Sequence, residues 1–189
     1  MKTAQRVLEA LAEWGLLLEQ DKELPNVVTL LTGQSLRTSW WSHPRARVIF
    51  ATLTELARHP DVLFTKLLYG KVTLLHQRLW PSFLAVASAR EAWQVRGLPA
   101  SARSLLQALE RTGSVRASGP AVKELERRLL VHAEEVHTES GRHEIRLQPW
   151  HTWSQRVGCK PLPSLAQARG TLEAAIQGLG APLTALPWS

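Results

Sequence analysis

The sequence is poor in cysteine, since Cys159 is the only one among its 189 residues. A single thiol cannot close a disulfide within the chain and cannot supply the cysteine pairs of a zinc finger. Such scarcity is typical of proteins in a reducing compartment. Because 44% of the residues are apolar, the chain can bury a core, and we expect a globular protein of the cytoplasm.

Long hydrophobic runs are also missing from the sequence. No apolar run approaches the roughly 18–20 residues that a membrane span needs. The N-terminal segment has Glu9 and Glu13 inside its apolar pattern, whereas a signal peptide has an uncharged apolar centre. We therefore expect no membrane partner and no export signal.

What the sequence does have is an excess of positive charge, with a formal net charge of +7. Residues 37–80 contribute seven basic side chains against two acidic ones, a net charge of +5. By contrast, residues 1–24 have a net charge of −2 and residues 100–150 a net charge of +1. A basic surface of this kind indicates an anionic partner, and the first half of the chain should supply most of it.

Apolar periodicity predicts an α+β protein, mainly helical, with two β-hairpins and a winged-helix-like C-terminal half. Turn residues at Gly97–Pro99 suggest a division into a helical unit around a hairpin (1–96), a winged-helix-like module (97–160) and a C-terminal helix with a tail (161–189). Residues 26–32 fit either a short helix or a strand. Helices are predicted over residues 3–20, 43–58, 81–94, 101–112, 150–158 and 164–179, and a further helix is predicted to begin at Pro120.

The first predicted hairpin spans residues 61–80, between Pro60 and Pro81. A two-residue turn at Tyr69–Gly70 would place Thr65 opposite Leu74. Apolar groups then occur on both faces, so we expect helices to cover this hairpin.

The second predicted hairpin follows two short helices, which is the order of a winged-helix module. A turn at Ser140–Gly141 would place Val136 opposite Ile145 and Glu135 opposite Arg146. In such a module the second helix enters the major groove of DNA and the hairpin tip reaches the backbone. Lys123 and Arg127 on that helix and Arg142 at the tip are therefore predicted to contact nucleic acid. In the alternative, charges on this helix pair locally, as Glu124 can with Arg128 four residues later. Winged helices also serve as protein-interaction modules.

The most unusual segment is a loop from Arg37 to Arg47. Its sequence, RTSWWSHPRAR, places Trp40 and Trp41 among the arginines at positions 37, 45 and 47. Exposed indoles stack on unpaired bases while guanidinium groups hold phosphates, so Arg37, Trp40, Trp41, Arg45 and Arg47 are candidate nucleic-acid contacts. In the alternative, one or both tryptophans anchor the core.

The sequence shows no strong catalytic constellation. His43, Lys66 and His76 are weak catalytic candidates, because imidazole and amine groups serve as acids and bases. Histidines 132, 137 and 143 lie near three glutamates, yet no three of these side chains converge as ligands in the predicted register. We therefore predict no metal site and no other cofactor.

Three runs resemble an uncharacterised bacterial family of conserved proteins: SWWSHPRARVIF, TKLLYGKVTLLHQRLWPSFLAVA and LLVHAEEVHTESGRHE. The resemblance covers residues 33–155, implies a winged-helix-like module and brings no activity with it. The order helix, helix, hairpin also resembles winged-helix proteins generally, including DNA glycosylases assembled from tandem winged helices. The catalytic glutamine motif of those glycosylases has no counterpart in this chain.

These observations predict a nucleic-acid-binding protein, with DNA as the expected partner. The basic Trp/Arg loop and the winged-helix module would form its interface. Two alternatives stay open at this point: an enzyme acting on nucleic acid or nucleotides, for example in DNA repair, and a protein-interaction adaptor. The oligomeric state is open as well.

Overall fold

A computed structural model describes residues 2–137 and 143–189. Within them the fold is α+β and mainly helical, as the sequence predicts, and it contains two three-stranded antiparallel sheets where the sequence predicts two hairpins. The chain divides into two compact units. The first comprises the chain up to Trp80 with Gly170–Pro187 and Ser189, and the second comprises Pro81–Arg169 with Trp188. The three predicted domain ranges stay predictions.

The first unit packs helices against a small sheet whose strand order is β1-β3-β2. Its elements up to Leu79 are α1 Lys2–Trp14, β1 Leu16–Leu18, α2 Val27–Thr32, a 3-10 turn Trp40–Ser42, α3 Ala46–Ala57, β2 Val62–Thr65, β3 Thr73–His76 and a second 3-10 turn Gln77–Leu79. The segment 26–32, left open by its composition, is thus a helix, and Asn26 caps it by accepting a hydrogen bond from the Thr29 N–H.

Strand β1 was not predicted, because residues 3–20 look like one amphipathic helix. The helix instead ends at Gly15, whose φ of +84° lies in the left-handed region that favours glycine. The three leucines that follow are fully buried and pair with β3, with Leu17 opposite Leu74. A short, wholly apolar strand has no alternation to separate it from the end of a helix.

The predicted register of the first hairpin is wrong by one residue. Thr65 lies opposite Thr73, and Phe64 lies opposite Leu74. The strands end at Thr65 and resume at Thr73, so the connection is seven residues long and not a two-residue turn. Because side chains alternate along a strand, this shift changes the partner of every residue in the hairpin.

The second unit contains the predicted helix–helix–hairpin segment together with a third strand between its helices. Its elements are α5 Ala92–Val95, α6 Ala100–Thr112, β4 Val115–Ala117, α7 Pro120–Arg127, β5 His132–His137, β6 His143–Gln148 and α8 Trp150–Val157. Strands are ordered β4-β6-β5. Leu106, Leu109, Val122, Leu125 and Leu147 belong to its hydrophobic core.

In the second hairpin the predicted register is again wrong by one residue. Glu135 lies opposite Ile145, and Arg146 lies opposite Glu134. The Arg146 Nη2 and a Glu134 carboxylate oxygen are 2.6 Å apart. The predicted turn at Ser140–Gly141 lies outside the described residues.

The two remaining α-helices of the described residues are α4 Trp80–Ala87 and α9 Leu165–Gly178. The predicted helix 81–94 is in fact α4 followed by α5, separated at Arg90, whose φ is +53°. A last 3-10 turn covers Leu183–Ala185. In the part of the chain that the structure describes, no helix combines the length and the apolar character needed to cross a bilayer.

Replacing Gly15 should test how the first helix is made to stop before β1. An alanine Cβ at this position would lie 2.8 Å from Nη2 of Arg78, which donates a hydrogen bond to the Glu13 carbonyl. Gly15→Ala should therefore lower the free energy of unfolding by about 2–3 kcal/mol, from left-handed strain plus the lost hydrogen bond.

Gly33→Ala is the matched control for this measurement by urea denaturation. Gly33 also has a left-handed φ, +80°, but an added Cβ there meets no atom within 4 Å. It should cost only the backbone strain, about 1–2 kcal/mol. Equal losses in the two variants would contradict the crowding at Gly15.

Candidate nucleic-acid interface

The Trp/Arg loop folds around a single 3-10 turn, Trp40–Ser42. Ser39 precedes the turn, and its hydroxyl accepts a hydrogen bond from the Trp41 N–H at 3.5 Å. The turn is closed by the His43 N–H, which donates to the Trp40 carbonyl. The 3-10 turn thus places the two adjacent indoles in different environments, since Trp40 is buried and Trp41 is exposed.

Trp40 is the buried member of the pair, with 5% of its surface exposed. Its indole Nε1 donates to a carboxylate oxygen of Glu19 at 2.8 Å. The Gln20 side chain accepts from the Trp40 N–H and donates to the Thr38 carbonyl at 2.6 Å. Trp40 thus anchors the loop to the segment that follows β1, in agreement with the core-anchor alternative for one tryptophan.

Trp41 is the exposed member, with 64% of its surface accessible. Its ring stacks on Trp40 with 4.0 Å between centroids and 23° between planes. On another side it meets Phe50 of α3 at 5.7 Å, and Phe50 is itself 38% exposed. We call Trp41 and Phe50, supported from below by Trp40, the aromatic platform. The outer indole is held in place while its surface remains in contact with solvent.

The three arginines of the loop are all exposed, but they are not equivalent. Arg45 donates from Nη1 to the Leu31 carbonyl at 2.5 Å, so it also satisfies a carbonyl in the last turn of α2. Arg37 and Arg47 form no ion pair within residues 2–137 and 143–189. Arg47 precedes Phe50 by three residues on α3, which places it on the same helical face as the platform.

The predicted contacts on α7 differ in their surroundings. Lys123 is exposed. Arg127 donates to the Glu124 carboxylate from Nε and Nη2, and Nε of Arg128 donates to the same carboxylate at 2.6 Å. Hydrogen bonds from Arg127, opposed by partial burial and aided by Arg128, lower the pKa of Glu124. The charge of Arg127 is therefore largely matched within its own helix, and Arg142 lies outside the described residues.

The weak catalytic candidates lie in three segments. His43 precedes α3, His76 ends β3, and the partly buried Lys66 follows β2. Nδ1 of His43 accepts from the Arg45 N–H, and Nδ1 of His76 accepts from the Arg78 N–H. Both imidazoles therefore have Nδ1 engaged by the backbone N–H two residues further along the chain. Burial lowers the pKa of His76, which favours its neutral form.

Sequence reasoning missed Glu19, Gln20 and Phe50 as parts of this surface. Phe50 could have been found from the sequence, because it is an apolar residue that lies outside the apolar face of a predicted amphipathic helix. Val48 of the same helix is also exposed. No local feature of the sequence indicates the roles of Glu19 and Gln20, because their hydrogen-bond partners lie about twenty positions further along the chain.

His132, considered above as a metal ligand, is buried in the second unit with 7% of its surface exposed. Its ring lies 5.6 Å from that of Trp150 and 5.7 Å from that of Trp153. Nδ1 of this imidazole is buried without a hydrogen-bond partner among the described residues. Burial, aided by Arg156 and opposed by Glu134, lowers the pKa of His132 to about 4. Across residues 2–137 and 143–189, no three His, Cys, Asp or Glu side chains come together as a metal site.

Comparison of the chain with protein-family models, curated proteins and solved structures finds no match. The expected family membership therefore stays a prediction, and function must be argued from the geometry of the site.

The environment of His132 predicts a pH dependence of stability. In the unfolded chain this imidazole takes up a proton near pH 6.5, whereas in the folded chain it does so only near pH 4. Its contribution to stability is complete above pH 6.5 and is lost as the pH falls toward 4. Between about pH 7.5 and pH 5 the loss should be about 2 kcal/mol.

His132→Phe keeps a ring beside the two tryptophans and removes the titration. Urea unfolding of both proteins at each pH isolates the His132 contribution, because all other titrating groups are shared. The wild type should lose about 2 kcal/mol more than the variant over this range. Parallel losses in the two proteins would show that His132 is not held neutral by its surroundings.

Proposed function

We propose that this protein binds nucleic acid, with DNA as the expected ligand, through the aromatic platform and the arginines beside it. The observation on which the proposal rests is Trp41, an indole that is 64% exposed yet stacked on a buried and hydrogen-bonded partner. A large apolar ring kept in water by a fixed support is typical of a binding surface. A flat π-face is suited to a flat ligand, and nucleobases have such faces.

The charges around the platform favour an anionic ligand. Arg37 and Arg47 are exposed and have no ion-pair partner in the part of the chain that the structure describes. Residues 37–80 have a net charge of +5. Aromatic stacking interleaved with cations is the combination that binds bases and phosphates together.

The second unit gives weaker support. The helices α6 and α7, followed by the hairpin β5–β6, have the element order expected of a winged-helix module. Of the contacts predicted there, Lys123 is exposed, whereas Arg127 is held by Glu124. We therefore propose that the platform makes the main contacts with nucleic acid and that α7 has an auxiliary role.

Binding is tested by the fluorescence anisotropy of a labelled oligonucleotide of about 20 nucleotides. The measurement is made at salt concentrations of about 50 and 200 mM, because phosphate contacts weaken as salt rises. Trp41→Ala should reduce affinity roughly 5- to 100-fold, which corresponds to the loss of about 1–3 kcal/mol of base stacking. Val157→Ala, which trims another exposed apolar side chain, is the control and should bind like the wild type.

Arg47→Ala tests the electrostatic part of the proposal. It should weaken binding of all sequences alike and reduce the slope of log K against log salt by about 1. Arg111→Ala, which removes an exposed arginine at the end of α6, should leave the slope unchanged. A wild-type protein that binds no nucleic acid at the lower salt concentration would refute the proposed function.

A further inference from the structure

A second exposed aromatic ring lies in the connection between β2 and β3. Tyr69 is 49% exposed, and its backbone φ is +52°. Aromatic residues rarely adopt this left-handed conformation, because it costs about 1–2 kcal/mol relative to the right-handed one. Strain of this kind persists only where neighbouring contacts impose it, and it is concentrated at functional sites.

The contacts that impose the conformation are visible on both sides of Tyr69. Leu67 and Leu68 are fully buried. The Tyr69 N–H donates to the Ala185 carbonyl at 2.8 Å, and the Lys71 N–H donates to the Leu68 carbonyl at 2.8 Å. With the backbone fastened in this way, the phenol ring remains at the surface.

A cation is fixed beside this ring. The Lys71 ammonium lies 5.6 Å from the centre of the Tyr69 ring and 2.7 Å from a carboxylate oxygen of Asp21. Partial burial acts to raise the pKa of Asp21, but the hydrogen bonds from Lys71 and from the Glu23 and Leu24 N–H groups outweigh it, and the pKa is lowered. The carboxylate therefore stays charged and holds the ammonium near the ring.

Both aromatic surfaces are attached to the same three residues, Glu19–Asp21. Glu19 donates its N–H to the Val72 carbonyl at 2.9 Å and accepts the Trp40 indole N–H on its carboxylate at 2.8 Å. One residue thus bridges the loop of Tyr69 and the loop of Trp41. Two residues later Asp21 holds Lys71.

We infer that the ligand is single-stranded nucleic acid, with one unpaired base stacked on Trp41 and another on Tyr69. The inference rests on the proposed function and specifies its substrate class. In a duplex both faces of each internal base are covered by neighbouring bases, whereas an unpaired strand can offer a base face to each ring. Arg37 and Arg47, which belong to the same segment as Trp41, are placed to meet the phosphates of such a strand, whereas the charge of Lys71 is matched by Asp21.

The test compares labelled thymidine and uridine homopolymers of about 12 nucleotides with a duplex of the same length. The single strands should bind at least about 10-fold more tightly than the duplex, and the two homopolymers distinguish DNA from RNA as the source of the unpaired bases. The ring itself is tested by three substitutions: Tyr69→Ala, Tyr69→Asn and Tyr69→Phe. Asparagine tolerates the left-handed conformation, so loss of binding in that variant cannot be attributed to backbone strain.

Tyr69→Ala and Tyr69→Asn should each weaken single-strand binding roughly 5- to 100-fold, and Tyr69→Phe should bind within about 3-fold of the wild type. Combining Tyr69→Asn with Trp41→Ala should weaken binding further than either change alone, with duplex binding little affected. Thermal unfolding of each variant checks that the fold is retained.

The outcomes separate the two proposals. If the wild type binds none of the three nucleic acids, the proposed function fails and the inference fails with it. If the duplex binds as tightly as the single strands, the inference alone is overturned. The inference alone is also overturned if the Tyr69→Asn variant binds like the wild type while the Trp41→Ala variant binds more weakly, because Tyr69 then contacts no base.

Discussion

The hydrogen bond from the Trp40 indole to the Glu19 carboxylate is the contact on which the surface of the first unit depends. It holds the loop of Trp40 against the segment after β1, and the same Glu19 residue is bonded through its backbone to the connection between β2 and β3. A neutral N–H donor to a carboxylate is a charge-assisted bond and is stronger than a bond between neutral groups. With Trp40 held in this way, Trp41 can stack on it and remain largely in solvent.

The distribution of charge distinguishes the two units. In α7, Glu124 is held by Arg127 and Arg128, and Arg128 also donates to backbone carbonyls of Gln94 and Arg96. These cations stabilise local structure. Among the contacts within residues 2–137 and 143–189, Arg45 is the one arginine of the Trp/Arg loop with such a task, at the Leu31 carbonyl. A count of charges from sequence cannot separate cations that hold the fold from cations that are available to a ligand.

Much of the secondary structure was predictable, because apolar periodicity and the proline and glycine residues that end helices and strands are local features of the sequence. The helix from Ala100 to Thr112 and the helix that begins at Pro120 follow the sequence pattern closely. Both hairpin registers were wrong by one residue, since register depends on the length of the connection and on pairing across it. In the first hairpin the apolar pattern could not identify the correct register, because Leu63, Leu74 and Leu75 are all buried and the strands have no polar face to orient them. The third strand of that sheet, Leu16–Leu18, forms only because β3 is there to pair with it.

By itself the sequence determined that two indoles and three guanidinium groups share one short basic loop, and that the excess of positive charge surrounds it. It also determined that Tyr69 and Gly70 lie in the connection between two apolar strands. Only the tertiary structure decided which tryptophan is buried, because the carboxylate that selects Trp40 lies twenty-one residues earlier in the chain. Likewise, it alone joined the loops of Trp41 and Tyr69, since the bridge through Glu19 and Asp21 exists only after β1 has paired with β3.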